Sequence, residues 1–225
     1  MPLKIRLLID SVERQANLRD KEWLIEQNAH GKLDHATFTI DDPTKAISLA
    51  RGKNVIIENF DDANDRKFGG VLTEVTSRSW GGIGRTFSCK SLDWTFLLDR
   101  ALINKTFRGK SDQFIITDTV SGIFPTLANI GPGETDLTDF IVNTTNVLEG
   151  NSNTQYLQFK RVSVRDILDN LRDISKNFVW YVDPKKTVIY KPFGSESHSF
   201  HLSDAPDDVA SFAYLDLMRT IDITK

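Results

Sequence analysis

Residues 53–100 read KNVIIENFDDANDRKFGGVLTEVTSRSWGGIGRTFSCKSLDWTFLLDR, and this stretch decides the fold. Its first three runs are rich in β-branched and aromatic residues and are separated by Gly, Asn and Asp, a pattern typical of consecutive antiparallel strands. In the run 71–76, apolar or β-branched residues alternate with a mixed set, which favours a sheet with one face on a core. The two glycines of Phe68-Gly69-Gly70, at the start of this strand, allow the bend or bulge with which a small barrel turns a corner.

A short helical turn is predicted at the end of the same stretch. From Asp93 to Leu98 the pattern changes from a period of two to a helical spacing, and Asp93 is predicted as the N-cap. Trp94, Leu97 and Leu98 fall on one side of this turn, so we expect them to plug the end of the barrel.

Three further strands are predicted upstream of this stretch, at residues 4–9, 23–27 and 33–40. Asp41-Asp42-Pro43 ends the last of them, and residues 44–51 form either a short helix or a loop. A total of about six strands is usual for a small barrel or sandwich. We therefore predict a mainly β fold whose N-terminal domain, residues 1–105, is an antiparallel β-barrel.

The next part of the chain predicts a small α+β domain over residues 106–198. Its best helix is Ser163–Lys176, with Ser163 as N-cap and apolar residues at three- and four-residue spacing. A hairpin follows, with strands at 178–182 and 187–190. Helix and hairpin together form the unit that gives the domain its α+β character.

The segments around this unit have weaker patterns. A polar, basic linker is predicted over residues 104–112, and a short helix interrupted by Pro125 over 117–129. The remaining predictions are a turn at 131–133, strands at 140–143 and 156–159, and, within a region 199–225 that leads towards a second barrel, return strands at 198–202, 211–217 and 220–225.

The composition is that of a globular protein and excludes several classes. The chain has 225 residues, of which 40% are hydrophobic and 26% charged, and its net charge is −3. This acidic balance argues against wrapping nucleic acid, so no specific nucleic-acid binding is predicted. The single cysteine, Cys89, excludes an internal disulfide and fits folding in a reducing cytosol. No apolar run is long enough for a signal-peptide core or a membrane helix, so we expect synthesis in the cytoplasm.

The sequence contains no catalytic constellation, and we predict no catalytic residues, no cofactor and no metal site. His198 and His201 are three apart in an extended segment, which puts them on opposite faces. The segment that begins at Asp61 lacks three required positions of a calcium loop, so a solvated hairpin turn is expected. Cys89 lies in a strand between apolar neighbours, where a buried, inert thiol is expected. We therefore predict a structural or binding protein rather than an enzyme.

The aromatic residues of the predicted hairpin allow two interpretations. Phe178, Trp180 and Tyr190 can form a platform on which a sugar or a base stacks. On a hairpin next to a helix, such residues more often belong to the core, and this second interpretation is favoured.

The strand series resembles that of the hub proteins, at the centre of the baseplate or tail tip, of tailed phages and related contractile injection machines. Gly52–Ile57 is similar to the family's glycine-led strand, and Phe68–Val71 to its F-x-G-x strand. Thr86–Cys89 then leads into Leu92–Arg100, which resembles the family's next strand and its LLdr ending.

A second match lies in the predicted α+β region. Val162–Leu168, running on to Val179–Asp183 and Val188–Tyr190, looks like the family's helix followed by a W-x-V-D hairpin. Phe212–Thr224 is similar to the lead-in to the family's second barrel. The resemblance covers most of the chain and rests on the order of the elements.

The resemblance implies a structural virion component of the phage tail. Each chain would supply two similar barrels, and a homotrimer would form a ring of six that joins the tail tube to a spike or fibre, with the distal tail protein as a further partner. Edge pairing and apolar burial would hold such a ring together. A mildly acidic wall would let DNA slide through during host cell attachment. The protein would be made in the host cytoplasm and reside in the virion tail.

Three alternatives stay open. Within the same machine, the chain fits a distal tail protein that forms a hexamer with one barrel per chain. From another class, it fits a carbohydrate-binding module with Trp180 or Trp80 as the platform. From a third, it fits the N-terminal part of a tail-associated cell-wall hydrolase with its chemistry beyond Lys225.

Overall fold

A computed structural model of the chain describes residues 5–27, 33–80, 84–124 and 140–195, together with the backbone of 201–203 and 211–213. The chain divides into two compact units, Met1–Pro192 and Phe193–Lys225. The first unit contains a large sheet and two hydrophobic cores.

Most elements of the described residues are strands, and the α-helices all follow β7. The strands are β1 Ile5–Ile9, β2 Val12–Glu13, β3 Leu18–Glu26, β4 His35–Asp42, β5 Asn54–Asn59, β6 Asp62–Trp80, β7 Gly84–Asp93, β8 Leu102–Arg108, β9 Tyr156–Ser163, β10 Phe178–Val182, β11 Val188–Pro192, β12 His201–Ser203 and β13 Ser211–Ala213. The helices are α1 Thr95–Arg100, α2 Asp112–Thr117 and α3 Val164–Ser175, with a 3-10 turn at Gln15–Asn17.

A seven-stranded antiparallel sheet with the order β2-β1-β5-β6-β7-β4-β3 forms the N-terminal part of the first unit. Its central strand, β6, has 19 residues; it pairs with β5 through residues 62–71 and with β7 through residues 70–80. Because this strand changes partners along its length, the sheet curls into a half-barrel. The predicted mainly β fold with an N-terminal antiparallel barrel is confirmed in this curled form.

The change of partner in β6 occurs at two glycines. A Cβ atom on Gly70 would overlap the carbonyl oxygen of Leu92, and one on Gly69 would overlap the carbonyl oxygen of Pro184 and the indole Nε1 of Trp94. The glycines therefore let neighbouring groups approach β6 closely. The ladder irregularities flank the two glycines, between Arg66 and Phe68 and between Leu72 and Glu74. The glycines lie inside the strand rather than at its predicted start, because the acidic segment before them also pairs with β5.

The inner face of the half-barrel has a continuous apolar core. Alternate residues of β1, β4 and β7 point inwards, as the period of two in a strand requires. The buried residues are Ile5, Leu7, Ile9, Ala36, Phe38, Ile40, Ile47, Val55, Ile57, Phe68, Leu72, Phe87 and Cys89. Cys89 is confirmed as buried, and desolvation raises the pKa of its thiol to about 12, which keeps it unreactive at neutral pH.

Residues 44–51, for which the sequence left a helix or a loop open, form a loop held by a buried carboxylate. Asp42 accepts hydrogen bonds from the N–H of Ile47 at 2.9 Å, the N–H of Ala46 at 3.0 Å and Arg85 Nε at 2.9 Å. Desolvation raises the pKa of Asp42, but these hydrogen bonds outweigh it and leave the pKa below its ordinary value.

A second apolar core brings α1, α2 and α3 together with β8, β9 and the β10–β11 hairpin. Ser163 caps α3, and its hydroxyl accepts a hydrogen bond from the N–H of Asp166 at 3.1 Å. The predicted helix and hairpin are thereby confirmed, although Ile174 at the end of the predicted stripe is 38% exposed. The buried stripe consists of Val164, Ile167, Leu168 and Leu171.

The helix α1 belongs to this second core, which also includes Val71 of β6. Trp94, Leu97 and Leu98 pack with the helix-and-hairpin region and are absent from the apolar core of the half-barrel, so the prediction that they plug the barrel end is wrong. Trp94 meets the half-barrel only from outside this core, against Gly69. Trp94 takes the N-cap position that was predicted for Asp93, whose carboxylate instead accepts a hydrogen bond from the Thr95 hydroxyl at 2.8 Å.

The predicted linker at 104–112 is wrong, since most of it belongs to β8 and α2. In β8, Ile103 and Phe107 are buried, and Lys105 donates from Nζ to the carbonyl of Gly122 at 2.8 Å. The strand pairs with β9, which lies far along the chain. The sequence around β8 therefore does not reveal that the segment has a strand partner. A linker was predicted because the exposed face of β8 is polar and basic.

Residues 125–139 lie outside the described residues. The predictions for the segments before and after them had different outcomes. The helix predicted to begin at Thr117 is wrong, because α2 ends there and turns follow to residue 124. The strand predicted at 140–143 is only a single bridge between Ile141 and Thr187. The strand predicted at 156–159 is confirmed as the first half of β9.

In the second unit, β12 and β13 form a parallel pair with Leu202 opposite Phe212. These strands overlap the return strands predicted at 198–202 and 211–217; the one predicted at 220–225 lies outside the described residues. The domain boundaries at 105 and 198 stay predictions.

The Gly69→Ala substitution is expected to lower the free energy of unfolding by about 1–3 kcal/mol or more, because the new Cβ meets backbone and a buried indole that cannot both move aside. Urea denaturation measures the change. Ser77→Ala, an exposed change on the same strand, is the control and should alter stability by less than about 0.5 kcal/mol. Equal stability of the two variants would contradict the close approach.

Candidate interaction surfaces

The described residues contain no group of three or more His, Cys, Asp and Glu side chains that could hold a metal. His30 and His198 lie outside the described residues, and of His201 only the backbone is described. Asp61 and Asp62 lie at the exposed turn between β5 and β6, which confirms the predicted hairpin turn.

The aromatic residues of the hairpin lie in the second core, as the favoured interpretation predicted. Trp180 and Tyr190 are 1% and 0% exposed, and Trp180 Nε1 donates to Asp169 Oδ1 at 2.9 Å. The rings of Phe178 and Tyr190 pack with their centroids 4.9 Å apart. Trp180 is therefore not a platform for a sugar.

Beside these rings, a buried carboxylate connects four segments of the second core. Asp112 accepts hydrogen bonds from the N–H of Asn151 at 3.0 Å, the N–H of Gly150 at 3.1 Å, the Ser175 hydroxyl at 2.6 Å and the Tyr190 hydroxyl at 3.1 Å. Desolvation and the charge of Asp112 raise the pKa of the Tyr190 hydroxyl, so it stays protonated. Every group of the cluster is engaged, and its role is to hold the loop before β9 against the core.

The outer face of the half-barrel is polar and carries a groove. The ladders place hydroxyl-bearing and charged residues of β3, β4, β6 and β7 side by side on this face. They line a groove of about 730 Å³. The lining residues are Arg19, Glu22, Thr39, Thr76, Arg78, Ser79, Trp80, Thr86 and Ser88.

A hydrogen-bond network fixes the orientation of Trp80 in this groove. Its Nε1 donates to Thr86 Oγ1 at 2.7 Å, and the Thr86 hydroxyl donates to Asp41 Oδ1 at 3.0 Å. Arg19 binds the same carboxylate through Nη2 to Oδ1 at 2.7 Å and Nε to Oδ2 at 3.1 Å. The indole is held at its edge while the residue stays 41% exposed, so the ring is a rigid contact surface.

The network contains an ion pair, Arg19–Asp41, that the sequence did not reveal. Hydrogen bonds from Arg19 hold the pKa of Asp41 below its ordinary value against some desolvation, and a hydrogen bond from Thr86 adds to this effect. The same bonds raise the pKa of Arg19. Sequence reasoning named Trp80 as a possible platform and missed the other three residues, because only the pairing of four strands brings them together.

A buried carboxylate also lies where the half-barrel meets the second core. Asp93 is 8% exposed, opposite Gly70 in the β6–β7 ladder, and its Oδ1 has no hydrogen-bond partner within the described residues. Desolvation, reinforced by the charge of Asp34, raises its pKa to about 7 against the opposing effects of Thr95 and Arg165. The carboxyl therefore changes its protonation near neutral pH.

Comparison with known proteins identifies the fold. No protein-family profile and no curated protein matches the sequence. A 43 kDa tail protein of prophage MuSo2 from Shewanella oneidensis matches with a TM-score of 0.63 at 11% identity, over 88% of this chain and 57% of that one. A tail protein from Neisseria meningitidis MC58 matches with a TM-score of 0.54 at 13% identity, over 83% of this chain and 50% of that one. The chain has a tail-protein fold.

This tail-protein fold confirms the predicted resemblance at the level of structure. The chain spans 57% and 50% of the lengths of the two tail proteins. The longest described helix, α3, has twelve residues, and no described helix has the length and apolarity needed to cross a membrane.

The Asp93→Asn variant is expected to gain stability relative to the wild type as pH rises from about 4 to about 8. The folded state of the wild type keeps a proton up to a pKa of about 7, whereas the unfolded chain loses it near pH 4. Wild-type stability therefore falls across that window, by at most about 4 kcal/mol for a three-unit shift. Asparagine cannot ionise and keeps an acceptor for Thr95.

Urea denaturation at several pH values measures this difference. Asp61→Asn, in an exposed turn, is the matched control for the loss of one carboxyl. If the free energies of unfolding of Asp93→Asn and the wild type differ by the same amount at every pH, the raised pKa of Asp93 is contradicted.

Proposed function

We propose that this protein is a structural component of a phage tail or a related tail-like machine. The observation that carries the proposal is the tail-protein fold over 88% of the chain. The hydrogen bonds that engage every group around Asp112 are in keeping with a structural role.

Within the tail, we propose the role of a hub that forms a symmetric ring between the tail tube and a spike or fibre. The protein would be a homotrimer, and its partners would be the tube, the distal tail protein and the spike or fibre. It would be made in the host cytoplasm and reside in the virion tail. The finer role rests on the order of elements, with the half-barrel followed by a helix and a W-x-V-D hairpin at Trp180–Asp183.

Two free strand edges support assembly into a ring. The strand β3 ends the sheet, so one side of its backbone has no ladder partner among the described residues. The pairing of β6 with β5 ends at Val71, and the five residues Thr76–Trp80 are all exposed. Unpaired edges of this kind are templates for strands of another chain, and two different edges on one molecule suit a head-to-tail ring.

The purified protein is therefore expected to form a closed ring with threefold symmetry. Native mass spectrometry counts the chains, and class averages from electron microscopy give the symmetry. A sixfold ring with one half-barrel per chain would favour the distal tail protein instead. A monomer at all concentrations, also in the presence of tube protein, would contradict a ring-forming role.

A second candidate function, carbohydrate binding, is favoured by the geometry at Trp80. The indole is exposed, its orientation is fixed by Thr86, and the groove beside it offers Arg78 and Glu22 as hydrogen-bonding groups. An aromatic ring that stacks on a sugar, with polar groups around it, is the arrangement such a site needs.

If the groove binds a sugar, Trp80→Ala should lower the affinity for that sugar at least about tenfold, or about 1.4 kcal/mol. A glycan array with the wild type finds the ligand, and titration compares the variants. Phe60→Ala removes an aromatic ring that is 46% exposed at the β5–β6 turn and is the control. Absence of any glycan ligand, or binding that survives Trp80→Ala, would exclude this function.

A further inference from the structure

The outer face of the two-stranded β8–β9 sheet carries basic and neutral side chains only. Its strands pair with Asn104 opposite Lys160 and Arg108 opposite Tyr156, while Ile103, Phe107 and Phe159 on the inner face are buried. The exposed residues of this face are Leu102, Asn104, Thr106, Arg108, Tyr156, Gln158, Lys160 and Arg161. We call this set the basic ribbon face; it contains three cations and no acid.

A bulge in β9 places two cations next to each other on this face. The register shifts between Ile103 and Asn104, and Arg161 has a φ of +53°. Phe159 is buried, Lys160 and Arg161 are both exposed, and Val162 turns inwards again. The N–H of Arg161 donates to Asn104 Oδ1 at 2.9 Å, which holds the bulge. A left-handed conformation is unfavourable for arginine, so the bulge carries backbone strain, and its result is a second cation on the exposed face.

The cations of this face are not neutralised within the described part of the chain. No carboxylate lies within ion-pair distance of Arg108, Lys160 or Arg161 among the described residues. The Arg108 guanidinium lies 5.2 Å from the centre of the Tyr156 ring, an arrangement that keeps its charge available at the surface. Lys110, just beyond β8, adds a fourth exposed cation, and its ammonium lies 4.3 Å from the centre of the Phe114 ring.

The spacing of these charges fits duplex DNA. Lys160 lies level with Asn104, four residues from Arg108 along the strand, which corresponds to about 13 Å. The major groove of DNA is about 12 Å wide between its phosphate backbones, and a two-stranded β-ribbon can lie across it. Arg108 would then meet one backbone, and Lys160 with Arg161 the other.

We propose that the basic ribbon face binds the phosphate backbones of duplex DNA without sequence preference. The neutral donors Thr106 and Gln158 lie between the two groups of cations, and Asn104 lies level with Lys160; all three suit phosphate and sugar contacts. An acidic protein is a poorer occupant, because a protein interface needs an apolar centre and this face offers only Leu102 and Tyr156. The inference does not rest on the proposed role as a hub.

The test measures binding of the whole protein to a duplex of about 30 base pairs by fluorescence anisotropy. Three phosphate contacts predict an affinity that falls about 40-fold between about 50 and about 200 mM salt. We expect the triple variant Arg108→Gln/Lys160→Gln/Arg161→Gln to bind the duplex at least about tenfold more weakly than the wild type and to lose most of this salt dependence. The exchange Arg108→Lys/Lys160→Arg/Arg161→Lys keeps the charge and should bind like the wild type.

The matched control removes three exposed cations elsewhere: Arg51→Gln/Lys176→Gln/Lys185→Gln. Because the net charge is then the same as in the variant of the basic ribbon face, equal loss of binding in both variants would overturn a local site. Equal affinity for polyglutamate and for the duplex by the wild type would overturn recognition of DNA. Circular dichroism checks that each variant is folded. If the variant of the basic ribbon face is unfolded, the single change Lys160→Gln replaces it, and unchanged DNA binding by that variant also overturns the proposal.

Discussion

The first unit depends on one close approach, in which the carbonyl group of Pro184 and the indole of Trp94 meet against Gly69. Trp94 Nε1 donates to Pro184 O at 3.1 Å, and the Lys186 ammonium lies 4.5 Å from the centre of the indole ring. A buried indole N–H needs an acceptor, and the turn of the β10–β11 hairpin provides it. Because Gly69 lies where β6 changes partners, the bend of the half-barrel and the position of the hairpin constrain each other.

Charges have different roles on the two exposed sheet faces of this unit. In the groove of the half-barrel, Arg19 and Asp41 neutralise each other and fix Trp80 through Thr86, so charge there determines shape. On the basic ribbon face, the cations lack acidic partners within the described residues, so their charge is available to a ligand. The net charge of −3 averages over these regions and therefore does not describe either of them.

Local patterns predicted the elements whose neighbours are close in sequence. The sequence predicted the apolar stripe and N-cap of α3, the hairpin after this helix and the burial of Cys89. Each of these features depends on residues only a few positions apart. The strand β8 was missed because its partner β9 begins at Tyr156, far along the chain. Of the candidate groove only Trp80 was named, because an exposed aromatic is visible in a sequence, whereas a network across four strands is not.

The sequence by itself determined that the chain has a barrel-like sheet followed by a helix and a hairpin, because periods of two and of three to four residues are local properties. It also determined that one short helix, α1, has a single apolar side. Only the tertiary structure decided which core that side faces, where β6 changes partners and which cations stay unpaired. These outcomes depend on which distant segments meet, and an amphipathic pattern specifies that a face is buried without specifying its partner.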